Sequence, residues 1–329
     1  MKALVLEAFN TPYQIKDVVT PVAREGEVLV KISHSGVNPL DLKIVAGEAL
    51  HAQVKLPAIL GIDMAGTVEA VGDGVTRFKP GDEVYGMIGG VAGVQGSLAE
   101  YASVDADLLA IKPGNLTMKE NASIPLAFIT AWEGLVDRAK IGHGKTVLIH
   151  GGAGGVGQLA IQIAAAMGAQ VFATVNHRHM ELIHGYGATP VDHHALSVEA
   201  YVKEYTNDDG FDIIFDTLGG ATLDASFKAA KQYDGHVVSI LGWGSHSLAP
   251  LSFRGATYSG VFTLYPLISG KARAHHGRIL SEATRLIEAG KVSARIEQKD
   301  YTMDSVLTAY ADLQRRHAAG KVIIRIAGS

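Results

Sequence analysis

The chain of 329 residues contains no cysteine. Disulfides, thiolate catalysis, iron–sulfur clusters and zinc sites built on sulfur are therefore excluded. An excess of charge of one sign is missing too, since 29 Lys and Arg against 33 Asp and Glu leave a net charge of −4. No global basic field exists to gather nucleic acid or an acidic membrane surface. No uninterrupted apolar run reaches the roughly 18 residues of a membrane-spanning helix. Residues 1–6 read as a strand, not as a basic segment leading into an apolar signal core. These absences predict a soluble, cytoplasmic protein with neither a membrane nor a nucleic-acid partner. What the chain does have is 47% hydrophobic and 19% charged residues, the balance of a folded globular enzyme. Its length favours two domains. Its 38 glycines, without a collagen period, predict many tight turns and close backbone approaches.

Residues 1 to about 123 read as short strands, at 27–32, 66–71 and 83–87, separated by Gly/Pro turns such as Phe78-Lys79-Pro80-Gly81-Asp82. After Ile124-Pro125 the pattern changes. Helical spacing covers 127–139, and an apolar strand follows at 146–150. Helices at 159–167, 178–185, 198–204 and 221–231 then alternate with strands at 170–175, 211–216 and 235–241. Such alternation predicts a parallel sheet covered on both faces. One more strand is expected near 256–264 and a helix near 276–289. The β-like end at 322–326 resembles the start of the chain more than its middle. The expected fold is α/β, a nucleotide-type domain at 124–263 inserted into a mainly β domain formed by 1–123 plus 264–329.

The sharpest motif is Val147-Leu148-Ile149-His150-Gly151-Gly152-Ala153-Gly154-Gly155-Val156-Gly157. Its G-x-G-x-x-G, at Gly152, Gly154 and Gly157, follows a buried strand and opens a helix. A pyrophosphate needs a bare backbone it can approach, together with the N–H groups and positive dipole end of a helix. A dinucleotide site is expected here, with Gly155 and Val156 inside the loop. In such folds a carboxylate ending the second strand holds the 2′-hydroxyl of NAD. That strand here runs into Asn176-His177-Arg178 and has none. Arg178, with Asn176 and His177, suits a 2′-phosphate and so favours NADPH, the plainer alternative being a solvated basic helix start.

Further motifs make the chain recognisable: Gly36-Val37-Asn38-Pro39-Leu40-Asp41-Leu42-Lys43, Leu60-Gly61-Ile62-Asp63-Met64-Ala65-Gly66, the 78–86 segment and Ala319-Gly320-Lys321-Val322-Ile323. With the glycine loop they resemble the medium-chain dehydrogenase/reductase superfamily over nearly the whole length, in its zinc-free branch of quinone oxidoreductases and enone reductases. The resemblance implies a GroES-like catalytic domain, a Rossmann domain, a cleft holding nicotinamide and substrate, and a homodimer joined near 258–262. Asn38, Ile62 and Leu126 stand where zinc-dependent relatives carry ligands, so no metal is expected; among the 14 histidines, His177/His179 and His193/His194 lie beside the expected adenosine pocket or on turns, without a paired carboxylate spacing.

Without a metal, the charge that hydride transfer places on the acceptor needs hydrogen-bond donors or conjugation to stabilise it. The expected reaction is NADPH-dependent reduction of a quinone or α,β-unsaturated carbonyl. The alternatives are reduction of simple ketones or aldehydes, or NADPH binding with little catalysis. The candidate catalytic residues are Asn38, as an amide donor, and Lys43, as an ammonium oriented by Asp41. Each has a structural alternative, a loop brace for Asn38 and an ion pair for Asp41 and Lys43. Beyond the loop, the resemblance and the strand ends point to Thr130, His193, Leu218, Leu241, Gly242, Phe262, Thr263 and Lys321 as cofactor contacts. Trp243 is the best candidate for an aromatic pocket, whereas Phe128 and Trp132 read as core.

Overall fold

The computed structural model describes residues 1–315 and 317–326. The chain divides into two compact units, one of Met1–Leu126, Leu264–Gly290 and Ala294–Ser329, the other of Ala127–Thr263 and Lys291–Ser293. Residues 124–126, expected with the second unit, belong to the first, and 291–293 belong to the second.

In the first unit β1 (Lys2–Leu6) pairs antiparallel with β2 (Gln14–Asp17) and β4 (Ala58–Ile59) in a small sheet. The main sheet is built on β3 (Glu27–Gly36), with β5 (Asp63–Val71), β6 (Glu83–Met87), β7 (Tyr101–Asp105) and β8 (Leu109–Ile111). Along β3, Val28, Val30 and Ile32 are buried while Lys31 is exposed, the period-2 alternation of a one-sided sheet. The β3–β5 register shifts twice, and there Gly66 lies so close to β3 that a Cβ would stand 2.4 Å from the Lys31 carbonyl oxygen. Between β3 and β4 runs a helix absent from the sequence-based expectation, α1 (Pro39–Val45), with Pro39 in its first turn. A short α2 (Met118–Asn121) precedes α3 (Pro125–Trp132), and the division between the units falls inside α3.

The second unit is a six-stranded parallel sheet. Its strands are β9 (Thr146–His150), β10 (Gln170–Val175), β11 (Thr189–Asp192), β12 (Ile213–Asp216), β13 (His236–Ser239) and β14 (Thr257–Gly260). They lie in the order β11-β10-β9-β12-β13-β14, every pair parallel. This is the doubly wound arrangement, whose order reverses between β9 and β12 and places ligands at the carboxyl ends of the strands. The connecting helices are α4 (Gly155–Ala166), α5 (Met180–Gly185), α6 (Val198–Thr206), α7 (Ala221–Ala229) and α8 (Ala249–Phe253).

Four details depart from the sequence-based expectation. α4 starts at Gly155 rather than 159, because the glycine loop itself forms the first turn. Residues 177–179 form a 3-10 turn before α5. β11 was not anticipated, a four-residue edge strand containing Pro190, which an edge tolerates. The helix expected over 127–139 continues past Trp132 as a π-helical segment, Glu133–Arg138. There Gly134 abuts the Phe215 ring, and a Cβ would fall 2.3 Å from Phe215 Cε2.

The returning chain forms α9 (Tyr265–Ser269), α10 (Arg273–Glu288), β15 (Tyr301–Thr302), α11 (Val306–Gln314) and β16 (Ile323–Arg325). β16 pairs antiparallel with β3, so the tail joins the sheet made by strands between residues 27 and 111. The buried face of α10 carries Ile279, Leu280, Ala283, Leu286 and Ile287. Gly277 lets it sit against the chain at Asp107, where a Cβ would meet the Asp107 carbonyl oxygen at 2.5 Å.

Candidate functional site

In the second unit the candidate residues gather along one edge of the sheet. β9 ends at His150, and the chain turns through Gly151 at φ +72, where a Cβ would strike Thr217 Oγ1 at 2.6 Å. A Cβ on Gly152 would meet that of Ala173 at 2.8 Å, and one on Gly157 would lie 2.2 Å from the Gly151 carbonyl oxygen. Gly155 is different, because nothing stands within 4 Å of the place its Cβ would take. The loop is thus tight where it backs onto the protein and open at the N-terminus of α4, where the amides and the helix dipole favour an anion. Those residues fit a dinucleotide pyrophosphate.

Asn176, His177 and Arg178 follow β10, and the last two are exposed. Asn176 Oδ1 accepts from His194 Nε2 at 2.9 Å, and His193 Nδ1 donates to the Val175 carbonyl at 3.0 Å. His193 follows the end of β11 and ties it to β10. Leu218 follows β12, Leu241 and Gly242 follow β13, and Phe262 and Thr263 follow β14. Thr130, on α3, reaches the same edge, with its Oγ1 3.2 Å from Thr263 Oγ1, which donates to Glu133 Oε2 at 3.0 Å. Trp243 is about half exposed, while Phe128 is fully buried and stacks on Trp132. Every expected cofactor contact except Lys321 therefore belongs to this unit.

Sequence reasoning missed a row of buried polar residues closing the strands: Thr174, His150, Asp216 and Ser239. His150 Nδ1 lies 3.1 Å from Thr174 Oγ1, and burial pushes its imidazole well below the usual histidine range. The readable signal was a polar residue ending each apolar run, as in Ile213-Ile214-Phe215-Asp216.

The first unit holds a second cluster. Asn38 is buried, its Nδ2 donating to Asp63 Oδ2 at 3.0 Å. Lys321 Nζ donates to Asn38 Oδ1 and, at 3.2 Å, to Asp63 Oδ2. The other Asp63 oxygen accepts the Leu126 amide at 2.7 Å. Asp63 is fully buried and was not singled out from sequence. Lys321, expected at the cofactor, is thus found in the first unit, bound to Asn38 and Asp63.

The expected pairing of Asp41 with Lys43 is not what the structure shows. Asp41 Oδ2 accepts the Asn38 amide at 2.7 Å and closes the first turn of α1. Lys43 points outward from the last turn of the same helix, exposed, and its charge helps to lower the pKa of His51, after desolvation. Two residues apart on a helix do not share a face, which is why the side chains separate. Burial pushes the Asp41 carboxyl up to about 7, with the Asp63 charge adding to the rise and the backbone amides of Asn38 and Gly61 and the Lys321 charge opposing it. Close to this carboxyl, Tyr13 and Tyr310 share a hydrogen bond of 3.0 Å, and burial pushes both phenols far up.

The chain matches the alcohol dehydrogenase GroES-like domain over residues 24–114 and the zinc-binding dehydrogenase family over 186–324. It is 35% identical over 336 residues to an NADPH-dependent alkenal/one oxidoreductase of Arabidopsis thaliana, covering 98% of this chain and 79% of that protein. It is 31% identical over 255 residues to the quinone oxidoreductase of Homo sapiens, 76% of each. The crystal structure of an alcohol dehydrogenase superfamily protein from Novosphingobium aromaticivorans superposes with a TM-score of 0.97 at 51% identity, covering 99% of this chain and all of that one. Zinc, implied by the second family's description, finds no fitting donor set. Ile62 and Leu126 carry no ligand atom on their side chains, and Asn38 Oδ1 is taken by the Lys321 ammonium. Among the described residues no group of three His, Cys, Asp or Glu could hold a metal ion.

Proposed function

The chain belongs to the medium-chain dehydrogenase/reductase superfamily, in the branch of the quinone and enone reductases, and from that premise we propose that it is an NADPH-dependent, zinc-independent reductase of quinones or α,β-unsaturated carbonyls. The observation that carries the cofactor part is the contrast within the glycine loop, crowded at Gly151, Gly152 and Gly157 and open at Gly155. The amides at the start of α4 hold the pyrophosphate. The exposed Arg178, helped by Asn176 and His177, meets the 2′-phosphate, since no carboxylate stands directly after β10 to claim a 2′-hydroxyl. Leu218, Leu241, Gly242, Phe262, Thr263 and Thr130 line the remainder of the edge, and His193 braces it. NADPH, when bound, supplies the hydride.

The acceptor class follows from the donors present. With neither Ile62 nor Leu126 able to ligate a metal, the charge developing on the substrate oxygen is met by hydrogen-bond donors and by conjugation. A quinone or enone spreads that charge, whereas a simple ketone leaves it on one atom. Lys43, exposed on the helix whose first turn Asp41 closes, is the donor of this reading, and Asn38, its Nδ2 engaged by Asp63 and the Gly36 carbonyl and its Oδ1 by Lys321, braces the loop before that helix. The protein is cytoplasmic and dimerises through the exposed edge of β14, where size-exclusion chromatography with light scattering would report twice the 34.7 kDa chain mass.

The test is NADPH against NADH oxidation with one quinone, one enone and one saturated ketone, on chelator-treated protein. Chelator-resistant turnover of the conjugated acceptors with NADPH is expected. Activity lost to chelator and restored by zinc would refute the metal-free reading. Turnover of the ketone alone would overturn the substrate class, and preference for NADH would overturn the role of Arg178.

A further inference from the structure

The missed polar residues form a line across the parallel sheet. Thr174 pairs with His150 between β10 and β9, and Asp216 pairs with Ser239 between β12 and β13. Phe215 pairs with Ile149, which puts Asp216 next to His150 in the same row. Residues paired across a parallel sheet project to the same face, and within each of the two pairs the side chains meet. Thr174 Oγ1 is 3.1 Å from His150 Nδ1, and Ser239 Oγ donates to Asp216 Oδ2 at 2.7 Å. All four are at most 4% exposed.

Each end of this row also holds a loop. Thr174 Oγ1 accepts the Gly151 amide at 3.3 Å, and Ser239 Oγ accepts the Leu241 amide at 3.1 Å. Asp216 takes the amides of Leu218 and Gly219, each at 3.1 Å. The two later loops interlock, because a Cβ on Gly219 would lie 2.3 Å from the Leu241 carbonyl oxygen. Buried carboxyl oxygens need hydrogen-bond partners, and those of Asp216 find them in two loop amides and one hydroxyl. The loops so held are those after β9, β12 and β13, on both sides of the point where the strand order reverses.

We propose that Thr174, His150, Asp216 and Ser239 are positioning residues for the dinucleotide, a buried row that fixes the three loops on the carboxyl edge in their binding shape before NADPH arrives. The inference rests on the dinucleotide reading above. Preformed loops cost no ordering on binding, so breaking the row costs affinity in the folded protein. A merely structural row would lower the melting temperature and leave the affinity of the folded protein alone.

The experiment compares Thr174→Val, which keeps the shape and removes the hydroxyl, with Thr174→Ser, which keeps the hydroxyl. Asp216→Asn and Ser239→Ala probe the other end. NADPH dissociation constants are measured by fluorescence titration, with hydrogen exchange of the amides of 151, 218, 219 and 241 followed in the absence of cofactor. Asp216→Asn is expected to weaken NADPH at least about tenfold, and Thr174→Val and Ser239→Ala by about three- to tenfold. Exchange should quicken at those amides while the strands stay protected, and Thr174→Ser should bind like the parent. If Asp216→Asn does not fold, Ser239→Ala and Thr174→Val decide the matter alone. Parental affinity in these variants, or exchange quickened uniformly over the sheet, overturns the proposal. A parent protein that binds no NADPH overturns the dinucleotide reading and this inference with it, an outcome distinct from a binding parent with unaffected variants.

Discussion

Asp41 offers a quantitative test of the first unit. Its carboxyl is buried beside a second carboxylate, Asp63, and is pushed from 3.8 to about 7. At roughly 1.4 kcal/mol per pKa unit, ionised Asp41 costs the fold up to about 4 kcal/mol. The folded protein keeps this proton between those two values while the unfolded chain has lost it. Stability from this group is therefore greatest below about pH 4, declines as pH rises to about 7, and is flat above. Asp41→Asn removes the titration but keeps an oxygen to accept the Asn38 amide, now 2.7 Å from Oδ2. Burying the amide in place of a neutral carboxyl takes back part of the gain at every pH, so the variant should exceed the parent by about 1–3 kcal/mol at pH 8 and fall below it by about 1–3 kcal/mol near pH 4, a change in the gap of about 4 kcal/mol. Urea titrations of both proteins at the two pH values, followed by tryptophan fluorescence, give the four free energies required. The reasoning fails if the gap between parent and variant is the same at both pH values, or if the variant is the less stable at pH 8.

Four further outcomes follow from the geometry. Gly155→Ala enters open space on the first turn of α4, so the melting temperature should hold while NADPH affinity drops at least about tenfold. Gly157→Ala meets the Gly151 carbonyl oxygen and should cost about 1–3 kcal/mol in a denaturant titration; an unchanged midpoint would contradict the loop's geometry. Arg178→Ala should weaken NADPH about tenfold with NADH unchanged, and equal losses for both would remove the residue from the 2′-phosphate. Asp63→Asn leaves the Lys321 ammonium, only 9% exposed, without its counter-charge, at a cost of about 3–5 kcal/mol; a loss under about 1 kcal/mol in urea would refute a buried pair.

The local patterns of this chain carried a good deal. The apolar runs ending at His150, Val175 and Asp216, and the glycines between His150 and α4, each report a property of neighbouring residues. Alternation, helical spacing and a turn are set within a few positions, so they survive in sequence. The residues fitted to a dinucleotide were legible for the same reason, since a strand, a glycine loop and a helix are contiguous. The Asp41–Lys43 expectation failed on a local point as well, because α1 went unrecognised and its geometry sends the two side chains apart.

Other features had no local trace. Asn38, Asp63 and Lys321 stand up to 283 residues apart, and nothing around Lys321 shows that β16 will pair with β3 and bring its ammonium to Asn38. Asp216 reads as one more acid after an apolar strand until β12 takes its place between β9 and β13. The sequence by itself determined which segments become strands, helices and a phosphate-type loop, because backbone preference and burial pattern act over one or two turns. Only the tertiary structure decided which buried charges share hydrogen bonds, because strand order and register set distances between residues that sequence spacing leaves free.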